Sequence, residues 1–195
     1  MKKALLGISS GFHDSAVALV GIDGKVLFAT SEERFTRVKG DRSWPSFSID
    51  EIIKYADKKN FSIIGVCYYE DPIKRFNWSF FVSLLSPISI REKIRRLHSL
   101  GSNYIELTAN LESLLSNLSL SSSALFVSDH HISHAAASFS FSDQNSGFVC
   151  ILDAFGQECS GLLGYLKPNK SIKVLKSLPV SKSVGLFYSA ITSIC

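Results

Sequence analysis

Short apolar runs alternate with turn-forming residues along most of this chain, a pattern typical of alternating strands and helices. Runs of strand length are bounded by Gly, Asp, Asn, Pro or Ser, and Ile22 to Lys25 form a hairpin-like turn between two of them. Strands are therefore predicted over residues 4–9, 15–20, 26–31, 61–69, 124–127, 148–153, 161–166 and 172–178.

Helices are predicted where apolar residues recur at helical spacing. These segments are residues 48–59, 91–100, 104–118, 129–139 and 183–195. Ser48 is the predicted N-cap of the first helix, with Glu51 three residues later completing a capping box. Residues 70 to 120 are less regular, because Pro72 and Pro87 interrupt the pattern, and the aromatic residues Phe76, Trp78, Phe80 and Phe81 are interpreted as core or lid packing.

The predicted elements repeat. Residues 4–69 have the order β-β-β-α-β, and residues 148–195 repeat β-β-β-α before the chain ends. Duplicated units of this kind are the plan of the actin, sugar-kinase and heat-shock ATPase superfamily, whose glycine-containing turns direct backbone N–H groups at phosphates. The pattern predicts an α/β, actin-like ATPase fold with ribonuclease H-like units. Its first subdomain would cover 1–146, with a helical insertion at about 70–120, and its second, incomplete, 147–195.

Composition narrows the class of protein. Of 195 residues, 46% are hydrophobic and 19% charged, as in a soluble globular protein. The net charge of +4 is spread along the chain, so no nucleic-acid-binding surface is predicted. No apolar run approaches the roughly 20 residues that span a membrane, and no signal peptide is recognisable. The four cysteines form no C-x-x-C pair, and a reducing cytoplasmic location is expected.

A histidine pair is the strongest local signal of chemistry. His130 and His134 stand four apart on a predicted helix, so both imidazoles can face one ion, whereas His131 is expected to point elsewhere and contact substrate or support the site. Alone, such a pair is more often two ordinary histidines. Asp153, at the end of the next strand, adds a hard oxygen ligand. Two imidazoles and a carboxylate suit iron(II), manganese or zinc, with positions left for substrate.

The first loop is a second candidate site. Ser10 and Gly11 permit close backbone approach to an anion, and His13 lies at the loop's tip with Asp14 beside it. The alternative is an ordinary solvent-exposed turn, which is the commoner meaning of such a stretch.

Four strings in the sequence resemble those of a known family. They are G-I-S followed by H-D-S-A within residues 7–16, E-E-R-F-T-R-x-K at 32–39, Pro45, and D-H-H-x-S-H-A-A at 129–136. In this order and spacing they resemble the O-carbamoyltransferases of the NodU and CmcH type. The resemblance covers nearly all of the chain except about residues 70–120.

The resemblance implies a reaction. Family members make carbamoyl adenylate from carbamoyl phosphate and ATP in a C-terminal YrdC-like domain. An actin-like domain then passes the carbamoyl group to a hydroxyl of a small-molecule acceptor, in antibiotic or nodulation-factor biosynthesis. The family metal, usually taken as iron, is held by residues that match His130, His134 and Asp153, together with a further aspartate that this chain lacks.

The resemblance also implies roles for other residues. His13 would orient or deprotonate the acceptor hydroxyl. Arg37 and Lys39 would contact a phosphate or carbamoyl group. For residues 32–34, a local ion-pair network that shapes the loop is an equally good interpretation.

The phosphate loops are implied in the same way. Ser10 and Gly11 would line the first, and Gly156 the second. One position departs from the family, which usually has glycine after the strand-ending aspartate, whereas Ala154 follows Asp153 here.

Three hypotheses follow for the whole chain. The first is the N-terminal portion of a carbamoyltransferase, inactive alone, whose partners are the missing C-terminal half, the YrdC-like domain and a hydroxyl acceptor. The second is an acyltransferase of the kind that adds threonylcarbamoyl to tRNA. The third is a non-catalytic metal-binding or partner-binding remnant. A truncated second half would leave strand edges uncovered, so self-association, for example as a homodimer, is expected.

Overall fold

One mixed sheet and one antiparallel sheet organise the chain, and the mixed α/β class predicted from the sequence is confirmed. The computed structural model describes residues 1–194. It divides into two units, which we call unit 1 (residues 1–69 and 94–127) and unit 2 (residues 70–93 and 128–194).

Unit 1 contains a five-stranded sheet in the order β3-β2-β1-β4-β5. Its strands are β1 (Lys2–Ser9), β2 (Ala16–Gly21), β3 (Val26–Ser31), β4 (Phe61–Tyr68) and β5 (Leu125–Val127). The first three strands pair antiparallel, whereas β4 runs parallel to both β1 and β5. The parallel pairs are possible because long connections separate their strands: two strands and two helices lie between β1 and β4, and two helices lie between β4 and β5.

Unit 2 contains a three-stranded antiparallel sheet in the order β6-β7-β8. Its strands are β6 (Gly147–Gly156), β7 (Cys159–Leu166) and β8 (Ile172–Pro179). A helix follows the third strand, so the predicted β-β-β-α order of the later chain is confirmed.

Six α-helices occur in the described part of the chain: α1 (Glu33–Thr36), α2 (Ser46–Lys58), α3 (Pro72–Leu85), α4 (Ile90–Asn117), α5 (His130–Ser140) and α6 (Val184–Thr192). Short 3-10 turns occupy Ser122–Ala124 and Val180–Lys182. The final helix was predicted to reach residue 195, but Cys195 lies outside the described residues. None of the described helices combines the length and apolar character needed to cross a bilayer.

The core of unit 1 follows from the sequence pattern. Alternate residues of β1, among them Leu6 and Ile8, are buried, as are the same-face residues Ile49 and Ile52 of α2. The last turns of α4 add three leucines to this cluster, namely Leu111, Leu114 and Leu115. Burying one such side chain contributes roughly 1.5–3 kcal/mol.

The predicted capping box of α2 is wrong. The helix begins at Ser46, and its free N–H groups at Phe47 and Ser48 donate to the two carboxylate oxygens of Glu32, at 3.0 and 2.9 Å. A buried carboxylate from another segment therefore caps this helix, since charge-assisted bonds to a helix N-terminus are strong. This structural role favours the loop-shaping interpretation of residues 32–34.

The stretch of residues 70–120, predicted to be less regular, begins with a regular helix. Pro72 occupies the first turn of α3, where its missing N–H is not needed, and Asp71 caps the helix by accepting from the backbone N–H groups of Ile73 and Lys74. The two helices predicted over 91–100 and 104–118 form the single helix α4. Gly101 lies inside this helix and does not interrupt it, since one helical glycine costs only about 1 kcal/mol of stability.

Candidate metal centre

Three side chains of unit 2 converge where α5 begins and β6 ends. The Nε2 atom of His130 lies 3.0 Å from Asp153 Oδ2 and 3.1 Å from Nε2 of His134. His134 Nε2 lies 3.8 Å from the same Asp153 oxygen. The helical spacing of four residues places both imidazoles on one face, and the strand brings the carboxylate to them.

The spacing of these atoms fits a shared ion. Nitrogen and oxygen ligands bound at about 2.0–2.2 Å lie roughly 3.0–3.4 Å apart around one metal. Two of the observed separations, 3.0 and 3.1 Å, fall in that range, and the third, 3.8 Å between His134 Nε2 and Asp153 Oδ2, is longer. The donor set holds no thiolate, which suits iron(II), manganese or zinc.

His131 does not point away, so that expectation is wrong. Its Nε2 atom lies 3.8 Å from Asp153 Oδ2, and the ligand atoms of His130, His131 and Asp153 all lie within 4.8 Å of one another. Neighbouring positions on a helix differ by about 100°, and the carboxylate reaches both rings from outside the helix. Burial, with the nearby His130, lowers the pKa of His131 to about 4, so the ring is neutral at neutral pH.

The second nitrogen of His131 also has a neighbour. Its Nδ1 atom lies 3.2 Å from the sulfur of Cys159, whose pKa is raised by burial. A protonated thiol can donate to that nitrogen, which leaves the ring's N–H on the side of Asp153.

Sequence reasoning missed Glu70. This carboxylate is 2% exposed, and its Oε2 atom lies 3.5 Å from Nδ1 of His130. Burial by itself lowers the pKa of His130, but the Glu70 and Asp153 carboxylates outweigh it and the pKa is raised overall. Glu70 stands in no sequence motif, so its position next to His130 is seen only in the folded structure.

Gln157 was missed as well. It occupies the β6–β7 turn with a left-handed backbone (φ 56°) and is buried. Its side-chain oxygen accepts from the backbone N–H of His130, and its amide nitrogen donates to the carbonyl of Asp71, both at 3.3 Å. The residue therefore links the start of α5 to the start of α3.

The backbone around Asp153 is held by its neighbours. The Ala154 N–H donates to Asp153 Oδ1 at 2.6 Å, and the Ser183 hydroxyl lies 3.0 Å from the Asp153 carbonyl. The same hydroxyl accepts from the N–H of Leu186 at 3.0 Å and so caps α6. Ala154 is not among the described residues with positive φ, so alanine in place of the family's glycine introduces no left-handed strain.

Several backbone N–H groups of the first loop of unit 1 donate hydrogen bonds to backbone carbonyls elsewhere in the unit. Gly11 has a φ of 89°, and its N–H donates to the carbonyl of Arg42 at 3.0 Å. The N–H groups of Asp14 and Ser15 donate to the carbonyls of Gly40 and Asp41. These three donors are engaged within the fold, which limits the backbone groups that the loop can offer to an anion.

The other candidate residues of unit 1 are exposed. His13 Nδ1 pairs with Asp14 Oδ2 at 2.8 Å, and the side chain of Lys39 lies 3.3 Å from that of Glu33, while Arg37 has a left-handed backbone (φ 60°). A cavity of about 720 Å³ lies in the same unit. Its lining includes Ser10, Gly11, Arg42, Trp44, Asn103 and Glu106.

Acid is expected to release the loop that follows α1. The Gly40 N–H, 2.9 Å from Glu33 Oε2, and then Lys39 hold the pKa of Glu33 below its ordinary value of 4.5. The stability that this carboxylate contributes is therefore present above pH 4.5 and is lost as the pH falls through the lower folded value. The Gly40 amide shift, followed by NMR, should change with a midpoint below 4.5. In Glu33→Gln it should stay constant, and a midpoint at or above 4.5 would contradict the contact.

Comparison with known proteins agrees with the resemblance seen in the sequence. Residues 4–195 match the family described as Carbamoyltransferase N-terminus. An uncharacterized protein of Synechocystis sp., sll1178, is 32% identical over 96% of this chain and 31% of its own length. The nodulation protein NolNO of Sinorhizobium fredii is 27% identical over 90% of this chain and 24% of its own. The uncharacterized protein MJ1051 of Methanocaldococcus jannaschii is 27% identical over 97% and 29%.

The chain thus spans about a quarter to a third of the length of these relatives. The family match, by contrast, covers nearly every residue, including both the His130 helix and the Asp153 strand. The chain belongs to the carbamoyltransferase N-terminus family.

Proposed function

We propose that this chain is the N-terminal portion of a carbamoyltransferase that passes a carbamoyl group from carbamoyl phosphate, through carbamoyl adenylate, to a hydroxyl of a small-molecule acceptor. The observation that carries the proposal is the convergence of His130, His134 and Asp153 in a chain of this family. One relative is named as a nodulation protein, which supports an acceptor of the nodulation-factor class.

His130, His134 and Asp153 would hold a divalent ion, iron(II) in the first place, with manganese or zinc as alternatives. Such an ion, when bound, stabilises negative charge on oxygen atoms of the donor. The protein's own part is to aim the two Nε2 atoms and the Asp153 carboxylate at one point. His131, neutral and buried beside them, would contact substrate through its Nε2 side.

His13 would serve as the base. With Asp14 Oδ2 2.8 Å from its Nδ1, the ring can donate there and keep Nε2 free of a proton. Nε2 would then take the proton of the acceptor hydroxyl while its oxygen bonds to the carbamoyl carbon and the bond to the adenylate phosphate oxygen breaks. AMP would leave with that electron pair. Arg37 and Lys39 would contact the phosphate, and Ser10, Gly11 and Gly156 would line the phosphate loops.

The actin-like assignment is also part of the proposal. Both units contain three consecutive antiparallel strands followed by a helix, as duplicated units of that superfamily do. The polar cavity of unit 1, with Trp44 and Asn103 in its lining, would accept the hydroxyl compound.

A paired assay tests this function. The 195-residue chain, and the chain extended by the coding sequence that follows Cys195, would be given metal, ATP, labelled carbamoyl phosphate and a panel of hydroxyl acceptors. We expect the short chain to bind metal weakly, since one ligand of the family's set is missing, and to consume no ATP, because the resemblance assigns adenylate formation to a YrdC-like domain. The extended chain should consume ATP only with carbamoyl phosphate and label an acceptor hydroxyl.

The controls separate the alternatives. His13→Gln in the extended chain should lose acceptor labelling but keep carbamoyl-phosphate-dependent ATP consumption. Adenylate formation by residues 1–195 alone would contradict the division of labour. Labelling of tRNA, or no ATP consumption by any extension, would contradict the carbamoyltransferase assignment itself.

A further inference from the structure

We infer that Glu70 is a positioning residue that orients His130 for metal binding, with Arg75 holding Glu70 in place. The inference rests on the metal site of the proposed function. It adds a buried carboxylate and its arginine, both in the segment of residues 70–93 that the sequence left without a role.

Arg75 determines how the Glu70 carboxylate is turned. Its Nη1 donates to Glu70 Oε1 at 2.6 Å, a short charge-assisted bond. Glu70 stands immediately before the Asp71 cap, and Arg75 lies one turn into α3. The carboxylate is thus anchored on one oxygen by a helix whose own start is capped, and the other oxygen is left to face His130.

The second oxygen, Oε2, lies beside Nδ1 of the His130 ring. Oε2 of Glu70 is buried and makes no hydrogen bond to the described residues, and it lies 3.5 Å from His130 Nδ1, at the outer limit of a hydrogen bond. Opposite Nδ1, the Nε2 atom faces Asp153 and His134. A carboxylate behind the ring favours the proton on Nδ1, which leaves the Nε2 lone pair directed at the cluster.

Metal-binding histidines commonly donate their second N–H to a carboxylate, which fixes the tautomer and raises the basicity of the ligating nitrogen. A purely structural ion pair would satisfy Glu70 through Arg75 alone. It gives no reason for Oε2, a buried carboxylate oxygen without a hydrogen bond, to be turned towards a histidine, since leaving such an oxygen unsatisfied is costly. The arrangement is explained if His130 must present one nitrogen to a metal.

Cobalt(II) titration of the purified 195-residue chain, read by visible absorption, tests the inference. Glu70→Gln keeps the shape of the side chain and removes its charge, and it should weaken cobalt affinity by about 10-fold or more. Lys74→Met is the matched control. It removes an exposed ion pair from α3 to Asp129 without touching the His130 ring, and its cobalt affinity should equal that of the wild type.

Folding is followed by circular dichroism in each sample. If Glu70→Gln does not fold, the double variant Glu70→Gln/Arg75→Gln decides, because it removes both charges of the ion pair and leaves neither residue charged without its partner. The same loss of cobalt affinity is expected. Unchanged affinity in a folded variant, with cobalt bound by the wild type, would overturn the role of Glu70 alone. No cobalt binding by the wild type would overturn the metal site and this inference with it.

Discussion

Replacing His134 with alanine is expected to abolish metal binding and to leave the fold intact. His134 is one of the three proposed ligands, and its side chain is 51% exposed, so its removal opens no cavity in the core. Alanine is also the best helix former. The unfolding free energy should change by no more than about 0.5 kcal/mol, as for most surface substitutions, while metal affinity should fall by at least about 100-fold through loss of a direct ligand.

The measurement is metal content after dialysis against excess ion, together with the denaturant midpoint of the same sample. His98→Ala is the control, because His98 is an exposed histidine of α4 in unit 1 and is not one of the proposed ligands. It should keep both metal and stability. Metal retained by His134→Ala at the wild-type level would refute the assignment of this residue as a ligand.

Changing Gly156 to alanine should disable the same site by a steric route. A Cβ atom on Gly156 would overlap the ring of His130, which is buried and cannot swing into solvent. Either the ring or the β6–β7 ladder, where Gly156 pairs with Cys159, must shift. Overpacking of this kind costs typically about 1–3 kcal/mol. We expect that loss of stability together with a large loss of metal affinity, since the displaced ring no longer faces Asp153.

Gly147→Ala provides the comparison within the same strand. The nearest atom to a Cβ there is a Phe139 ring carbon at 3.9 Å, an ordinary contact. Its stability and metal binding should stay close to the wild type. If Gly156→Ala binds metal as the wild type does, the ring has room that the structure does not show, and the close packing of Gly156 on His130 is not needed for the site.

Much of the secondary structure could be predicted from the sequence. The strand predicted over 26–31 is found as Val26–Ser31, and the helix predicted over 129–139 as His130–Ser140. Both depend on signals within one segment, namely apolar runs, helical spacing and turn residues. Helix starts were less predictable where the cap comes from elsewhere, as Glu32 shows for α2.

The same distinction holds for the candidate site. The sequence alone indicates that His130 and His134 share one helix face and that Asp153 ends the next predicted strand, because helix periodicity and strand ends are local properties. Glu70, 60 residues before His130, and Gln157, 27 residues after it, could not be predicted in this way. Neither lies in a pattern that spacing along the chain could reveal.

By itself, the sequence determined the fold class, α/β, and membership of the carbamoyltransferase N-terminus family. It also placed His130 and His134 on one face of a helix. Only the tertiary structure decided the orientation of the His130 ring. The buried neighbours Glu70 and Gly156 surround the ring, and the Asp153 carboxylate lies between His130 and His131. The reason is physical, since burial and side-chain contact depend on packing between segments distant in the chain.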